Sequence, residues 1–373
     1  MNPWIHLSRP AVATGLALAG ALAAGAAAGQ QEDVPARAID PATLVAETMP
    51  RADRSLILDL ATASNRAIAV GERGHILVSE SRTEWRQIEG VPTRATLTSI
   101  ATIGDLAWAV GHEGLILHST DGGLSWVRQR VASHDPESDD PHNGVPLLDV
   151  LFVDAENGFA VGAYTLLLRT RDGGLNWDVV PLSGSSAGQG DGLDADEEED
   201  DGSWILDADD TEILEETDPH LNGIARLDDG SLFIVAERGA AFRSRDGGDS
   251  WERVTLPYDG SMFGVIALGP QHLLAYGLRG NVLESIDGGD QWTSVETGTT
   301  LSLFGGTALP NGGAVLVGAN GIVLHRAAAA DPFRVLTYEN ADLETPVLAT
   351  VQAQDQGMFI VAGDKGFGRF DAR

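Results

Sequence analysis

The sequence predicts an all-β chain: a seven-bladed β-propeller with four antiparallel strands per blade, its ring closed by an N-terminal strand. Three observations predict it. An eight-residue phrase occurs four times, as STDGGLSW at Ser119–Trp126, TRDGGLNW at Thr170–Trp177, SRDGGDSW at Ser244–Trp251 and SIDGGDQW at Ser285–Trp292, with a worn copy, SESRTEW, at Ser79–Trp85. A second phrase, an apolar run closing on a small residue before a turn, occurs seven times, with anchors at Gly71, Gly111, Gly162, Ala236, Gly277, Gly318 and Gly363. Those anchors are mostly 40 to 51 residues apart, and roughly forty residues holding four short strands make one propeller blade.

The strands follow from local pattern. Strand a is an apolar stretch such as Leu97–Ile103 or Leu147–Val153, strand b is the AVG run, and strand c is the GxIL run past a tight turn. Strand d begins at the Trp of the repeated phrase, as in Trp126–Val131 and Trp251–Leu256. Short runs punctuated by Gly and Asp at regular spacing mark all-β repeats. The propeller then spans 42–373, with blades at about 55–90, 97–131, 147–182, 221–257, 262–297, 303–339 and 347–373. The seventh unit carries no strand d, whereas Ala42–Pro50 reads as a strand without a blade. It is expected to complete the seventh blade and hide the ring's edge strands.

Residues 1–29 have the layout of a secretory signal, with His6 and Arg9 ahead of an Ala/Leu/Gly/Val run and small residues near Ala26–Ala28. Residues 30–41 read as a linker. A retained anchor is the alternative, but the run is weakly apolar and barely long enough to span a bilayer. The chain has no Cys, which excludes a lipid-anchored lipoprotein, disulfides and thiolate metal sites. The expectation is a monomeric exported protein, periplasmic or envelope-associated, with no membrane insertion once the signal is removed.

A net charge of −31 argues against nucleic acid, whose binding needs clustered Lys and Arg, and against anionic membrane surfaces. About half of that charge lies at 183–219, which holds 15 acidic residues and neither Lys nor Arg. Such density of like charge predicts a disordered insertion. Ala132–Pro146 is a second, shorter acidic break in the period. Neither Asp194 nor Asp207 starts a calcium loop, because Glu199 and Glu212 stand where the sixth-position Gly is required. The 9 His form no H-x-x-x-H pair. No metal or cofactor site is expected.

The Ser/Thr-x-Asp-Gly-Gly-x-x-Trp phrase resembles the Asp-box, or bacterial neuraminidase repeat. At the c–d hairpin its Gly tolerates positive φ, its Asp accepts turn amide hydrogens, and its Trp packs as a wedge. The roles expected of Asp121, Asp172, Asp246 and Asp287, and of Trp126, Trp177, Trp251 and Trp292, are therefore structural. A catalytic Asp is not repeated four times around a ring, and no catalytic residue is assigned. The b–c turn carries a different signal: the residue before its second Gly is Arg73, Glu113, Arg238, Arg279, Asn320 and Lys365, the third blade being irregular. Arg73, Arg238, Arg279 and Lys365 stand out in a chain with only 24 Lys and Arg. The b–c turns and d–a loops share one face of a propeller, so these four residues and both acidic insertions are expected on that face.

The Asp-boxes together with the repeated A-V-G-x-x-G-x-I-L run resemble the photosystem II stability/assembly factor family and its relatives in non-photosynthetic bacteria. The resemblance covers Leu56–Arg373. It implies a seven-bladed propeller without enzymatic activity that binds assembling membrane-protein subunits, with a basic patch on one face meeting the partner. The four turn cations are the residues that could correspond to that patch; the acidic insertion and the net charge depart from the family pattern. The resemblance thus implies a protein partner, a membrane-protein subunit or envelope complex. Two other readings compete. A sialidase-like glycosidase would also carry Asp-boxes, but it needs an arginine triad and a Tyr nucleophile with a Glu partner. Its Phe/Tyr-Arg-Ile-Pro motif is absent, and none of Tyr164, Tyr258, Tyr276 and Tyr338 has an evident Glu partner. A glycan-binding propeller would need exposed aromatics on the channel face, and none is evident.

Overall fold

The computed structural model describes residues 40–135, 138, 140, 142–182, 218–354 and 357–372. Among these residues the strands form seven antiparallel sheets, six of four strands and one of three, each built in chain order from strand a to strand d. The seven strands a are Ile57–Ala63, Leu97–Ile103, Leu147–Phe152, Leu221–Arg226, Met262–Gly269, Leu303–Ala308 and Leu348–Ala353. Each touches the strand a of the next blade, and the last touches the first, so they line the axis of a closed ring. The expected signal, the linker up to Ile39 and nearly all of the 183–219 insertion lie outside the described residues. Among the described residues no helix is long and apolar enough to cross a membrane.

Strand b is the blade's buried centre. Ala67–Val70, Ala107–Val110 and Leu232–Ala236 are closed to solvent along their whole length, because each is flanked by strands a and c and covered on both faces by neighbouring blades. Both faces being buried, the strand reads as an unbroken apolar run rather than an alternation. The run ends at Gly71 because the carbonyl of Leu56, the residue just ahead of the adjoining strand a, occupies the space a Cβ would need. That crowding recurs at Gly111, Gly277 and Gly318, which explains the period in the sequence.

Every strand a carries a β-bulge between its first and third residues, from Ile57/Asp59 and Leu97/Ser99 to Leu303/Gly305 and Leu348/Thr350. A bulge turns an extra side chain out of the ladder. Repeated seven times, it shapes one end of the axial channel.

The closing strand is a correction. The seventh sheet has three strands, Leu348–Ala353, Met358–Gly363 and Gly366–Asp371, and Ala42–Pro50 does not pair with it. Instead Pro41–Thr43 form a 3₁₀ turn capped by Asp40, and the chain then runs beside the connection between the first two blades. Ala46 N donates to Val91 O at 2.9 Å, Arg94 N to Pro41 O at 2.7 Å and Arg94 Nε to Val45 O at 2.7 Å. The side chains explain the choice. Ala42 and Ala46 fit the core shared by blades one and two, while Val45 and Met49 remain exposed, so the segment has too little apolar surface to replace a full outer strand. The ring closes through side chains: Trp85 stacks on Phe367, Thr350 Oγ1 donates to Asp59 Oδ1 at 3.3 Å, and Gln352 Nε2 donates to Thr62 Oγ1 at 3.1 Å.

Candidate functional site

The four repeated phrases form the c–d hairpins, on the face opposite the b–c turns. In the first, Asp121 Oδ1 accepts from Ser119 Oγ at 2.8 Å, Leu124 N at 3.0 Å and Ser125 N at 2.9 Å, while Ser119 Oγ accepts from Gly123 N at 2.9 Å. Gly122 and Gly123 have φ of 70° and 84°, a pair of left-handed positions that side chains disfavour. Asp172, Asp246 and Asp287 repeat the pattern. Hydrogen bonds from the Ser250 hydroxyl and amide, then from Ser244, hold the Asp246 carboxyl well below the usual carboxylate range. Trp126 and Trp251 are buried, and Trp177 and Trp292 half-buried. The position after the second Gly divides the ring. It is an exposed Leu in Leu124 and Leu175, but Asp249 and Asp290 bind Arg169 at 2.6 Å and Arg243 at 2.8 Å from the preceding blade.

On the other face the b–c turns place Arg73, Glu113, Arg238, Arg279 and Asn320 in the left-handed region, with φ of 55°, 59°, 54°, 58° and 53°. The third blade keeps this turn. Tyr164 and Thr165 take φ of 53° and 55°, and Thr165 N donates to Pro219 O at 3.0 Å. The C-terminal end of the acidic insertion therefore meets the b–c face, as does Ala132, whose N donates to Glu113 O at 2.8 Å. Lys365 differs from the other cations: its turn is a two-residue connection between Gly363 and Gly366, and it pairs with Glu344 at 3.5 Å. Arg73 and Arg279 are exposed, and among the described residues their guanidinium groups make no hydrogen bond or ion pair. The four cations thus share a face, one per blade, without forming a single cluster.

At the centre of this face is the neck made by the bulges. Ile57 pairs with Gly71, the last residue before the Arg73 turn, so the residues after it lie at the same end of the ring. A cavity of about 160 Å³ is lined by the second and third residues of each strand a. The second residues are Leu58, Thr98, Leu148, Asn222, Phe263, Phe304 and Ala349, a rim of mostly apolar side chains interrupted by Thr98 and Asn222, in which the Phe263 and Phe304 rings lie 5.6 Å apart. The third residues are polar on one side, with Asp59, Ser99, Asp149 and Thr350, and glycine on the other.

Ser99 Oγ lies 2.7 Å from Asp149 Oδ1 and 3.0 Å from Asp59 Oδ2. Ile100 N donates to Asp59 and Ile224 N to Asp149, each at 2.9 Å, so these carboxylates tie successive blades together. Burial pushes the Asp59 carboxyl up to about 6, with the charge of Asp149 adding to the effect. Burial also raises Asp149. Tyr276, on strand b of the fifth blade, reaches over Gly264 and Gly306 into the cavity, and a side chain at either glycine would collide with its ring or hydroxyl.

Sequence reasoning missed the neck. A signal was present: an Asp inside an apolar run, in LILDLATA and in LLDVLF, two residues after the start of strand a in both blades.

No family model matches the chain. It is 28% identical over 190 residues to the photosystem II assembly protein Ycf48 of Synechococcus sp. (strain JA-2-3B'a(2-13)), a match covering 50% of this chain and 45% of that protein. The chain thus spans about half the length of the curated relatives it matches in this way. A solved structure described as YCF48 bound to D1 peptide superposes with a TM-score of 0.60 at 15% identity, over 86% of this chain and 94% of that one. Streptogramin B lyase superposes with a TM-score of 0.63 at 12% identity, over 87% and 95%. The chain is a seven-bladed propeller similar in sequence and fold to the photosystem II assembly factors.

Proposed function

We propose that this protein is an exported, non-enzymatic assembly scaffold that holds a protein partner, a membrane-protein subunit or envelope complex, against the face of its b–c turns. The observation that carries the reading is the contrast between the two faces. On the c–d face, arginines such as Arg169 and Arg243 are consumed by the carboxylates of the next blade. On the b–c face, Arg73 and Arg279 stand exposed at the tips of left-handed turns. The rigid turns fix where the two arginines leave the face, so the backbone needs no ordering on meeting an acidic segment, which lowers the cost of binding. The similarity to Ycf48, named as an assembly protein, supports the same reading.

The sialidase-like alternative finds no support in the cavity. Burial pushes the Tyr276 phenol up, whereas a nucleophile needs activation. Among the described residues no arginine lines the cavity. The likeness to streptogramin B lyase is one of fold.

Affinity capture from the native envelope tests the proposal. The unaltered protein should recover a specific partner, and Arg73→Glu with Arg279→Glu should lose it at low salt, because exposed charges act within about 8 Å at physiological ionic strength. Equal recovery by the double variant would place the partner elsewhere or nowhere.

A further inference from the structure

The neck has a chemistry that the partner-binding reading does not use. A serine hydroxyl has one proton, yet Ser99 Oγ lies within hydrogen-bond distance of two carboxylates, Asp149 at 2.7 Å and Asp59 at 3.0 Å. It can donate to only one of them. Each oxygen of Asp59 and Asp149 already accepts one backbone N–H, from Leu60, Ile100, Val150 and Ile224, so what the arrangement lacks is positive charge, and both carboxylates are half-buried and face the cavity. A second observation points into the same space. Tyr276 is 6% exposed and lines the cavity, and among the described residues its hydroxyl makes no hydrogen bond, so it is open to whatever occupies the cavity. Beside these polar groups the rim carries the Phe263–Phe304 pair.

We propose that the neck binds an alkylammonium group, a lysine-type cation whose charge meets Asp59, Ser99 and Asp149 and whose stem passes between Phe263 and Phe304.

An ammonium brings three donors and no acceptor, which the two carboxylates and the phenol oxygen can accept. Aromatic faces attract such a cation, and the apolar stem suits the rim. The cavity of about 160 Å³ has room for a chain of a few carbons. A bare metal ion fits less well. Among the described residues no group of three His, Cys, Asp or Glu gathers as ligands. The inference goes beyond the partner-binding reading and does not depend on it.

Calorimetric titration at neutral pH with n-butylammonium chloride tests it, with n-butanol and calcium chloride as controls. Saturable binding of the amine, with the alcohol at least about tenfold weaker for want of the charge, is the expected result. Tyr276→Phe, which keeps the ring, should weaken binding about fivefold through one lost hydrogen bond. Phe304→Ala should weaken it without altering the Ser99 contacts. Asp149→Asn should abolish it; where that variant fails to fold, Tyr276→Phe decides. Comparable affinity for Nα-acetyl-lysine methylamide would assign the site to a lysine side chain of a partner, whereas binding of butylammonium and putrescine alone would assign it to a free amine. Four results overturn the proposal: no saturable binding of the amine, equal binding of amine and alcohol, displacement of the amine by calcium at equimolar concentration, or an affinity unchanged by Tyr276→Phe and Asp149→Asn.

Discussion

Trp85 of the first blade stacks face to face on Phe367 of the seventh, with ring centroids 3.9 Å apart and planes 4° from parallel. This pair lies where a shared strand was expected, and it joins the two ends of the ring. Around it pack Ala52, Ile57, Leu77 and Ala362. A ring closed by side chains depends on them heavily. Trp85→Ala should therefore lower stability by about 2–4 kcal/mol, below the full range for a deeply buried aromatic because Trp85 is half-exposed. Chemical denaturation would measure the loss, and hydrogen exchange should show it first in Gly366–Asp371. A loss confined to the hairpin that contains Trp85 would mean that the stack does not close the ring.

The N-terminal segment makes a separate prediction. A chain beginning at Pro50 lacks the contacts of Ala42, Ala46 and Val45 with the 87–94 connection. It should exchange faster at 88–94 while Gly366–Asp371 remain protected. Lost protection in Gly366–Asp371 would restore the closing-strand idea.

Much of the fold was legible because its constraints are local. The glycine ending strand b answers to a crowding carbonyl, and the Ser-x-Asp-Gly-Gly phrase answers to a hairpin that needs two left-handed residues, so both recur wherever the geometry does. Closure was not legible, since Ala42–Pro50 can form a strand and only its competition with the 87–94 connection decides its place. The neck was hidden for another reason. A bulge leaves no residue-type signature, so Asp59 and Asp149 read as interruptions of an apolar strand until Ser99 is seen between them. The shared face of Arg73, Arg238, Arg279 and Lys365 follows from topology, but the Lys365–Glu344 pair is a contact between distant residues that no spacing announces.

Thr165 occupies the turn position that Gly74, Gly114 and Gly239 hold in other blades, at φ 55°. A β-branched residue there is strained, and such a position costs on the order of 1–3 kcal/mol. Thr165→Gly should stabilise the protein by up to about 1 kcal/mol, the glycine's greater unfolded-state entropy offsetting part of the relief. The Thr165 N–H bond to Pro219 O is retained in the variant. Unchanged or lower stability would mean that the threonine side chain, which is buried, contributes more packing than its backbone loses.

The last prediction concerns proton uptake in the neck. Burial, with Asp149 nearby, moves Asp59 from 3.8 to about 6, so between those values the folded chain binds a proton that the unfolded chain does not. Stability then rises as pH falls through about 6 and levels off near 3.8, where the unfolded chain also takes up its proton. Above about 6 the ionised carboxylate costs roughly 3 kcal/mol relative to its protonated form. The groups facing it are Asp149, Ser99, Thr350 and Tyr276, together with the amides of Leu60 and Ile100. Of these only Asp149 is a second carboxyl, and burial raises it too. Asp59→Asn removes the titration but also sacrifices one amide bond, because its carboxamide keeps a single acceptor oxygen. Its absolute stability is therefore a poor readout. The difference in unfolding free energy between the unaltered protein and Asp59→Asn should instead move in favour of the unaltered protein as pH falls from 7 to 4. A difference that stays flat over that range would show that Asp59 is ionised throughout, and that the positive charge the neck lacks is not a proton taken up there.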